Sequence, residues 1–292
     1  MKKIGGNDYV NQKWFKGTAV LATGLLLAAC GNDEPSEVDG EVEGAELEET
    51  TLVVGASNVP HAEILEFVAP TLEEEGITLE IMRYTDYIIP NLALDEKDID
   101  ANYFQHIPFF DAAVAENDFD FVNAGNIHLE PIGAYSKRHE SLDDLPENAT
   151  VLVSSNTPDY GRVLEVLETG GIITVKEGVD ITTATFDDID ENPLNLQFEY
   201  EYDPALMPTL LEQDEGDLVF INSNFAIDNG LKPLDDAIAI ESNTSPYADI
   251  VAVRSEDAEN PALLRLVEIL KSEETQKFIL DTWDGSVVPV TE

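Results

Sequence analysis

From Thr51 onward the chain alternates between runs with the two-residue period of a strand and stripes with the helical period of 3.6. That alternation restricts the fold to layered α/β arrangements, because each apolar strand must bury its faces under the helices that follow it. Thr51-Leu52-Val53-Val54-Gly55-Ala56 is an apolar run of strand length. Behind it Ile64, Leu65, Phe67, Val68 and Leu72 lie on one helical stripe, opened by Pro60 and stopped by Gly76. Ile77, Leu79 and Ile81 then alternate with polar neighbours as a strand does. The same reading predicts helices near 86–95, 107–116, 159–168, 205–213, 261–271 and 273–282. It predicts strands near 99–104, 119–124, 131–136, 151–155, 195–202, 217–222, 237–241 and 248–254. An order of this kind implies mostly parallel sheets covered by helices.

The chain has 292 residues, enough for one large domain or two lobes, and 43% of them are apolar, enough for a core. Acids outnumber bases by 60 to 15, a formal charge of -45. Nucleic acid is thereby excluded as a partner, since phosphate backbones require a basic surface. In dilute solution such a surface repels itself, and at high salt the repulsion is screened. The acidic excess is therefore read as the solvated surface of a secreted protein adapted to high salt. The acids are scattered and form no calcium-loop pattern, so no metal site is predicted from them.

The first thirty residues read as an address. Lys2, Lys3, Lys13 and Lys16 precede Gly17 to Ala29, thirteen small or apolar residues without a charge. As a helix this run spans roughly 20 Å, short of a ~30 Å hydrocarbon core, which fits a secretory leader better than a membrane span. It ends Leu27-Ala28-Ala29-Cys30-Gly31, which resembles a bacterial lipobox and places the only cysteine where lipoprotein processing needs a thiol. Cleavage would make Cys30 a lipid-bearing N-terminus, palmitate among its chains, on the outer face of the cytoplasmic membrane. Loss of residues 1–29 takes four lysines and one aspartate, moving the net charge to -48. Residues 30–50 then form an acidic tether with no assigned secondary structure.

Thr85-Asp86-Tyr87-Ile88-Ile89-Pro90-Asn91, followed by Asp98-Ile99-Asp100-Ala101-Asn102-Tyr103-Phe104-Gln105-His106-Ile107-Pro108-Phe109, resembles the methionine-binding lipoprotein family. The likeness continues through Pro131-Ile132-Gly133-Ala134-Tyr135-Ser136, Gly161-Arg162, Glu191-Asn192-Pro193, Phe220-Ile221-Asn222 and Ser245-Pro246-Tyr247. Members of that family are the substrate-binding subunits of ABC importers for methionine. The resemblance implies an α/β, two-lobed periplasmic-binding-protein-like fold of type II, with the ligand in the inter-lobe cleft. Carried over, lobe one is 51–137 plus 246–292 and lobe two is 138–245. It also implies a free amino acid as ligand, methionine favoured, an ABC permease and its separate ATPase as partners, a monomeric chain, and no cofactor.

A free amino acid presents a carboxylate, an ammonium and a side chain. Arg162, at the start of a helix, supplies a forked donor for the carboxylate, and the family's carboxylate-binding arginine aligns with it. Tyr87, Phe104, His106 and Phe109 match the family's pocket-lining positions. Phe104 and His106 are two apart and so share a face, which turns Tyr103 the other way into packing. Asn222 matches a ligand-contacting asparagine that also stands where a helix cap would, and Phe225 an aromatic of the same segment. Asp159 and Asp249 stand where the family commonly has asparagine. Either this is drift toward acidic composition, or one or both meet the ligand's ammonium directly and shift selectivity toward a more cationic ligand.

The alternatives are the same scaffold binding a different amino acid, a methionine dipeptide or a small anion, and a surface adhesin or antigen without transport. Catalysis is not expected. No G-x-S-x-G, H-E-x-x-H or phosphate-loop motif is present, and pairs among so many carboxylates arise by chance.

Overall fold

The structure is a computed structural model and describes residues 50–243 and 246–290. The leader, Cys30 and the tether up to Glu49 lie outside the described residues. Thirteen strands are found among those described: β1 (Thr50–Ser57), β2 (Ile77–Tyr84), β3 (Ala101–His106), β4 (Phe121–Leu129), β5 (Gly133–Tyr135), β6 (Thr150–Ser154), β7 (Thr174–Val175), β8 (Ile189–Glu191), β9 (Gln197–Tyr202), β10 (Leu218–Ile221), β11 (Ala239–Ile240), β12 (Ala248–Arg254) and β13 (Val288–Pro289). The helices are α1 (Glu63–Glu74), α2 (Ile89–Asp95), α3 (Ile107–Asn117), α4 (Tyr160–Thr169), α5 (Met207–Glu212), α6 (Ser223–Asp228), α7 (Pro233–Asp236), α8 (Pro261–Leu270) and α9 (Glu273–Trp283).

Two sheets organise the molecule into two lobes. The first has the order β13-β4-β12-β3-β1-β2, the second β11-β5-β10-β6-β9. On one face of the first sheet, Ile64, Leu65, Val68 and Leu72 of α1 pack with Leu266 and Leu270 of α8 and Ile279 of α9. On its other face Leu94 of α2 and Phe110 of α3 pack on Ile99 and Ile250. The second sheet is sandwiched in the same way, by Val163, Leu164 and Leu167 of α4 on one side and Met207, Leu211 and Phe225 on the other. Burial on both faces explains why its strands read as continuous apolar runs, such as Leu218–Ile221.

The pairing is mixed, not mostly parallel. β1–β2, β1–β3, β10–β6 and β6–β9 are parallel, but β12 runs antiparallel to β3 and β4, and β5 antiparallel to β10 and β11. The reversed strands β5 and β12 are the ones the chain enters after each of the two crossings between lobes. The first crossing lies between Leu129 and Gly133, and the expected boundary at 137 is corrected accordingly, since β5 belongs to the second sheet. The second lies between Ile240 and Ala248. The two crossings are bonded together, Ile132 N donating to a Glu241 carboxylate oxygen and Glu241 N to Ile132 O, each at 3.0 Å.

Strand β4 is longer than the periodicity reading predicts, and the short elements β7, β8, α6, α7 and β13 lie outside that reading. β4 runs on to Leu129, nine residues, because Asn123, Gly125 and Asn126 interrupt its apolar pattern where β12 shifts register twice against it. The helix does open at Pro60 as read: after the extended Val59 (φ -135°, ψ 137°), residues 60–62 form a wider helical turn that runs directly into α1.

Candidate ligand-binding site

The carboxyl ends of β3, β6 and β10 face one another across the cleft between the lobes. Strand β3 ends at His106, so Phe104 and His106 emerge together at that end, while Tyr103 turns into the core of the first lobe. Helix α3 starts at once, with Ile107-Pro108 in its first turn and Phe109 N donating to His106 Nδ1 at 3.2 Å. Tyr87 packs against Phe104, Phe109 and Phe225, with ring centroids 6.1, 6.0 and 5.1 Å away. These rings form an apolar wall with sulfur-friendly edges. The cavity they border is also lined by Gln105, Glu130, Asn156, Arg162, Asn222, Ser223, Asn224 and Asp249.

Of the eight residues singled out from sequence, seven line this cavity: Tyr87, Phe104, His106, Phe109, Arg162, Asn222 and Asp249. Asp159 does not line it in this closed arrangement. It is fully buried behind the wall, and its four acceptor positions are taken. Oδ1 accepts from His106 Nε2 at 2.9 Å and Arg162 Nη1 at 3.2 Å. Oδ2 accepts from Asn156 Nδ2 at 2.5 Å and Asn222 Nδ2 at 2.9 Å. Burial opposes its charge, but the His106 bond and the His106 and Arg162 charges outweigh that and hold its carboxyl well below the usual carboxylate range. Asn222 precedes α6 but makes no helix cap, its amide being committed to Asp159.

Arg162 is held more fully than the sequence implied. Nε and Nη2 both donate to Glu241 Oε2, at 2.9 and 2.6 Å, Nη2 also donates to the Glu130 carbonyl at 2.5 Å, and Nη1 reaches Asp159. Its guanidinium lies 5.0 Å from the Tyr247 ring centroid. Four of its five N–H groups are thereby engaged. Glu241 was not anticipated, being one acid among 60.

Glu130 and two histidines were missed as well. His61 and His128 are buried and converge with Glu130 and Asp249, their ligating atoms all within 4.8 Å of one another. His128 Nε2 is 2.8 Å from Glu130 Oε1. Burial, reinforced by the Asp249 charge, pushes the Glu130 carboxyl up to about 8, and burial pulls the His128 imidazole down to about 4. Burial thus favours the protonated form of Glu130, and His128 is neutral at neutral pH. The signal that could have found them is the one that found Phe104 and His106. His128 and Glu130 are also two apart at the end of a strand and share a face.

The cavity encloses only about 20 Å³, about the room one water needs. His106–Asp159 and Tyr87 Oη donating to Asn224 Oδ1 at 2.7 Å close it from the two lobes. A free amino acid enters only if those contacts open. A larger groove of about 380 Å³ lies where α3 meets Thr157-Pro158 and Thr182-Thr183, but no buried polar groups converge on it.

Two lobes on paired crossings, with a ring-lined polar cleft between them, define a substrate-binding protein of the two-lobed class. Residues 52–291 match the NlpA lipoprotein family, and the chain belongs to that family. It is 43% identical over 283 residues to the methionine-binding lipoprotein MetQ of Bacillus subtilis, covering 96% of this chain and all of that one. Among solved structures it is similar to a pheromone cOB1 precursor/lipoprotein of the YaeC family from Enterococcus faecalis (59% identity, TM-score 0.81, 82% of this chain and 100% of that one). It is also similar to a nutrient-binding protein from Burkholderia cenocepacia bound to methionine (39% identity, TM-score 0.76, 82% and 99%). The chain is a substrate-binding lipoprotein, a role of binding and not of catalysis.

Proposed function

We propose that the protein captures a free amino acid, methionine first among them, outside the cell and delivers it to an ABC permease driven by a separate ATPase subunit. Lipid on Cys30 would anchor it to the outer face of the cytoplasmic membrane. Among the described residues no helix is long and apolar enough to cross a membrane. The observation that carries the reading is the division of the cleft into two walls. Tyr87, Phe104 and Phe109 offer a thioether an apolar, polarisable surface, while Arg162, Asn222 and Asn224 opposite offer donors and acceptors to a zwitterionic head. The bound-methionine relative supports the choice of side chain.

In this reading an open form admits the ligand, and closure brings Arg162 and Asn222 against the rings of the first lobe. The ligand favours the closed state by its greater affinity for it. Because Glu241 and Asp159 already balance Arg162, the ligand carboxylate gains at most one free N–H or must displace a carboxylate. That observation favours a second reading, a methionyl dipeptide, in which the methionine carboxyl is masked as an amide and the free carboxylate lies one residue further from Arg162. Mass spectrometry of small molecules released from the purified, denatured protein separates the two. Calorimetry against L- and D-methionine, methionyl dipeptides and leucine completes the test. Methionine released and bound above the rest supports the proposal, and a ligand without a thioether overturns it.

A further inference from the structure

We propose that His61 Nε2, His128 Nε2, Glu130 Oε1 and Asp249 Oδ1 form a tetrahedral site for a divalent transition-metal ion, zinc being the best match, at the hinge between the lobes. This does not rest on methionine being the ligand.

The four residues come from three separate pieces of chain. His61 follows β1, His128 and Glu130 stand at the end of β4 and the start of the first crossing, and Asp249 opens β12 just after the second crossing. Strand β12 lies between β3 and β4, which sets Asp249 opposite His128. All four are buried. His61 Nε2 is 3.3 Å from Glu130 Oε1 and 3.4 Å from Asp249 Oδ1. Four ligands bound to zinc at their usual lengths stand about 3.3–3.4 Å apart along each tetrahedral edge. Two edges are thus already at that spacing. His128 Nε2 to Glu130 Oε1, at 2.8 Å, is slightly short of it, and the widest separation is below 4.8 Å. Small side-chain rotations close the difference.

The outer shell is equally suited. His61 Nδ1 is 2.6 Å from Ser57 Oγ and His128 Nδ1 is 2.5 Å from Tyr103 Oη. Both hydroxyls accept as well as donate, so each can take an Nδ1–H and leave Nε2 with a lone pair directed inward. That second contact, fixing ring orientation and tautomer, is typical of metal-ligating histidines. The His61 ring is also held edge-on to Tyr103, with centroids 4.6 Å apart. Two imidazoles and two carboxylates suit zinc over calcium or magnesium, which take oxygen ligands in larger number. Entry is through the cleft, since Glu130 and Asp249 line its cavity. An ion there would tie the segments on which the lobes pivot.

The test uses the full lipoprotein in detergent, stripped with a chelator and titrated with cobalt(II) in excess magnesium, which occupies the acidic surface. The expected result is one equivalent bound, with the intense visible bands of tetrahedral cobalt(II), displaced by one equivalent of zinc. His61→Gln and His128→Gln should abolish the bands while His139→Gln, on the second lobe, leaves them intact. Tyr103→Phe, which keeps every ligand, should weaken binding about 10–100-fold through loss of the outer contact. Asp249→Asn should weaken it at least as much and keeps the fold available if a histidine variant does not. No tetrahedral bands from the wild type overturns the proposal, as does binding undiminished in every variant. Either outcome leaves the four residues as a hydrogen-bond network only.

Discussion

Replacing Arg162 by methionine tests the charge arrangement at its centre. The substitution removes the buried cation that faces two carboxylates, Glu241 at 2.6 Å and Asp159 at 3.2 Å. At an effective dielectric constant near 20, each such pair at a charge separation of roughly 4 Å is worth about 4 kcal/mol before desolvation. Desolvation of the guanidinium offsets much of that sum, and breaking a buried pair by removing one partner costs about 3–5 kcal/mol in practice. For a domain of this size that lowers the melting midpoint by roughly 6–20 °C. Adding Glu241→Gln to Arg162→Met removes one of the two stranded charges. The double variant should then be more stable than the sum of the single costs, by about 0.5–3 kcal/mol. Urea unfolding at fixed ionic strength is the suitable assay, because guanidinium salts would screen the interaction under test. A loss below about 1 kcal/mol for Arg162→Met, the range of a surface ion pair, refutes the reasoning. So do additive costs in the double variant.

Asp159 should also govern the acid limb of stability. Its carboxyl is held below the usual range in the folded state, so its contribution is complete above the ordinary aspartate value and is lost as pH falls through the folded value. Urea midpoints of Asp159→Asn should decline less steeply than wild type below about pH 4, and parallel acid limbs would contradict this. Gly161→Ala places a Cβ 1.7 Å from the Ile181 carbonyl and 2.9 Å from the Tyr247 hydroxyl. The first turn of α4 must move, at a cost of about 1–3 kcal/mol and with loss of ligand affinity through Arg162, and a midpoint unchanged by calorimetry argues against that. With acids outnumbering bases by 60 to 15, the melting midpoint should rise between dilute and molar sodium chloride, and a flat profile would rule out a high-salt surface. Cys30→Ala should shift the protein from the membrane fraction to the medium, and continued retention on membranes would count against lipid anchoring.

The layered architecture was legible because strand and helix periods differ and most segments carry one of them cleanly. Phe104 and His106 were legible as a pair for the same reason, their spacing placing them on one face of an extended segment. Strand β4 was not, because polar residues occupy its bulged middle. The carboxylates that matter were the hardest to see. Glu130 and Glu241 look like any others in an acidic chain, and what sets them apart is burial, Glu241 against Arg162, 79 residues away, and the Glu130 carboxyl against His61 and His128. Asp159 was picked out through its departure from the family pattern, but the role inferred for it depended on which way its oxygens faced. That direction is fixed by His106, Asn156, Arg162 and Asn222, and one of those contacts comes from the opposite lobe. Contacts of this range leave no local trace in a sequence.

The distribution of these contacts says which of them closure depends on. Arg162 is tied to Glu241 and to the Glu130 carbonyl, both on the crossings, and those bonds survive a rotation of one lobe against the other. His106–Asp159 and Tyr87–Asn224 join elements of different lobes and do not survive it. When the lobes part, Asp159 keeps Arg162, Asn156 and Asn222 and loses only the imidazole, so opening strands no charge without a partner. In the proposed cycle, what decides between the two states is the ligand's differential affinity for them, not how tightly it binds either one. The two side chains released, Tyr87 and His106, both line the cleft. A ligand that engages them in place of Asn224 and Asp159 replaces the bonds that opening breaks, and closure becomes conditional on what the cleft holds.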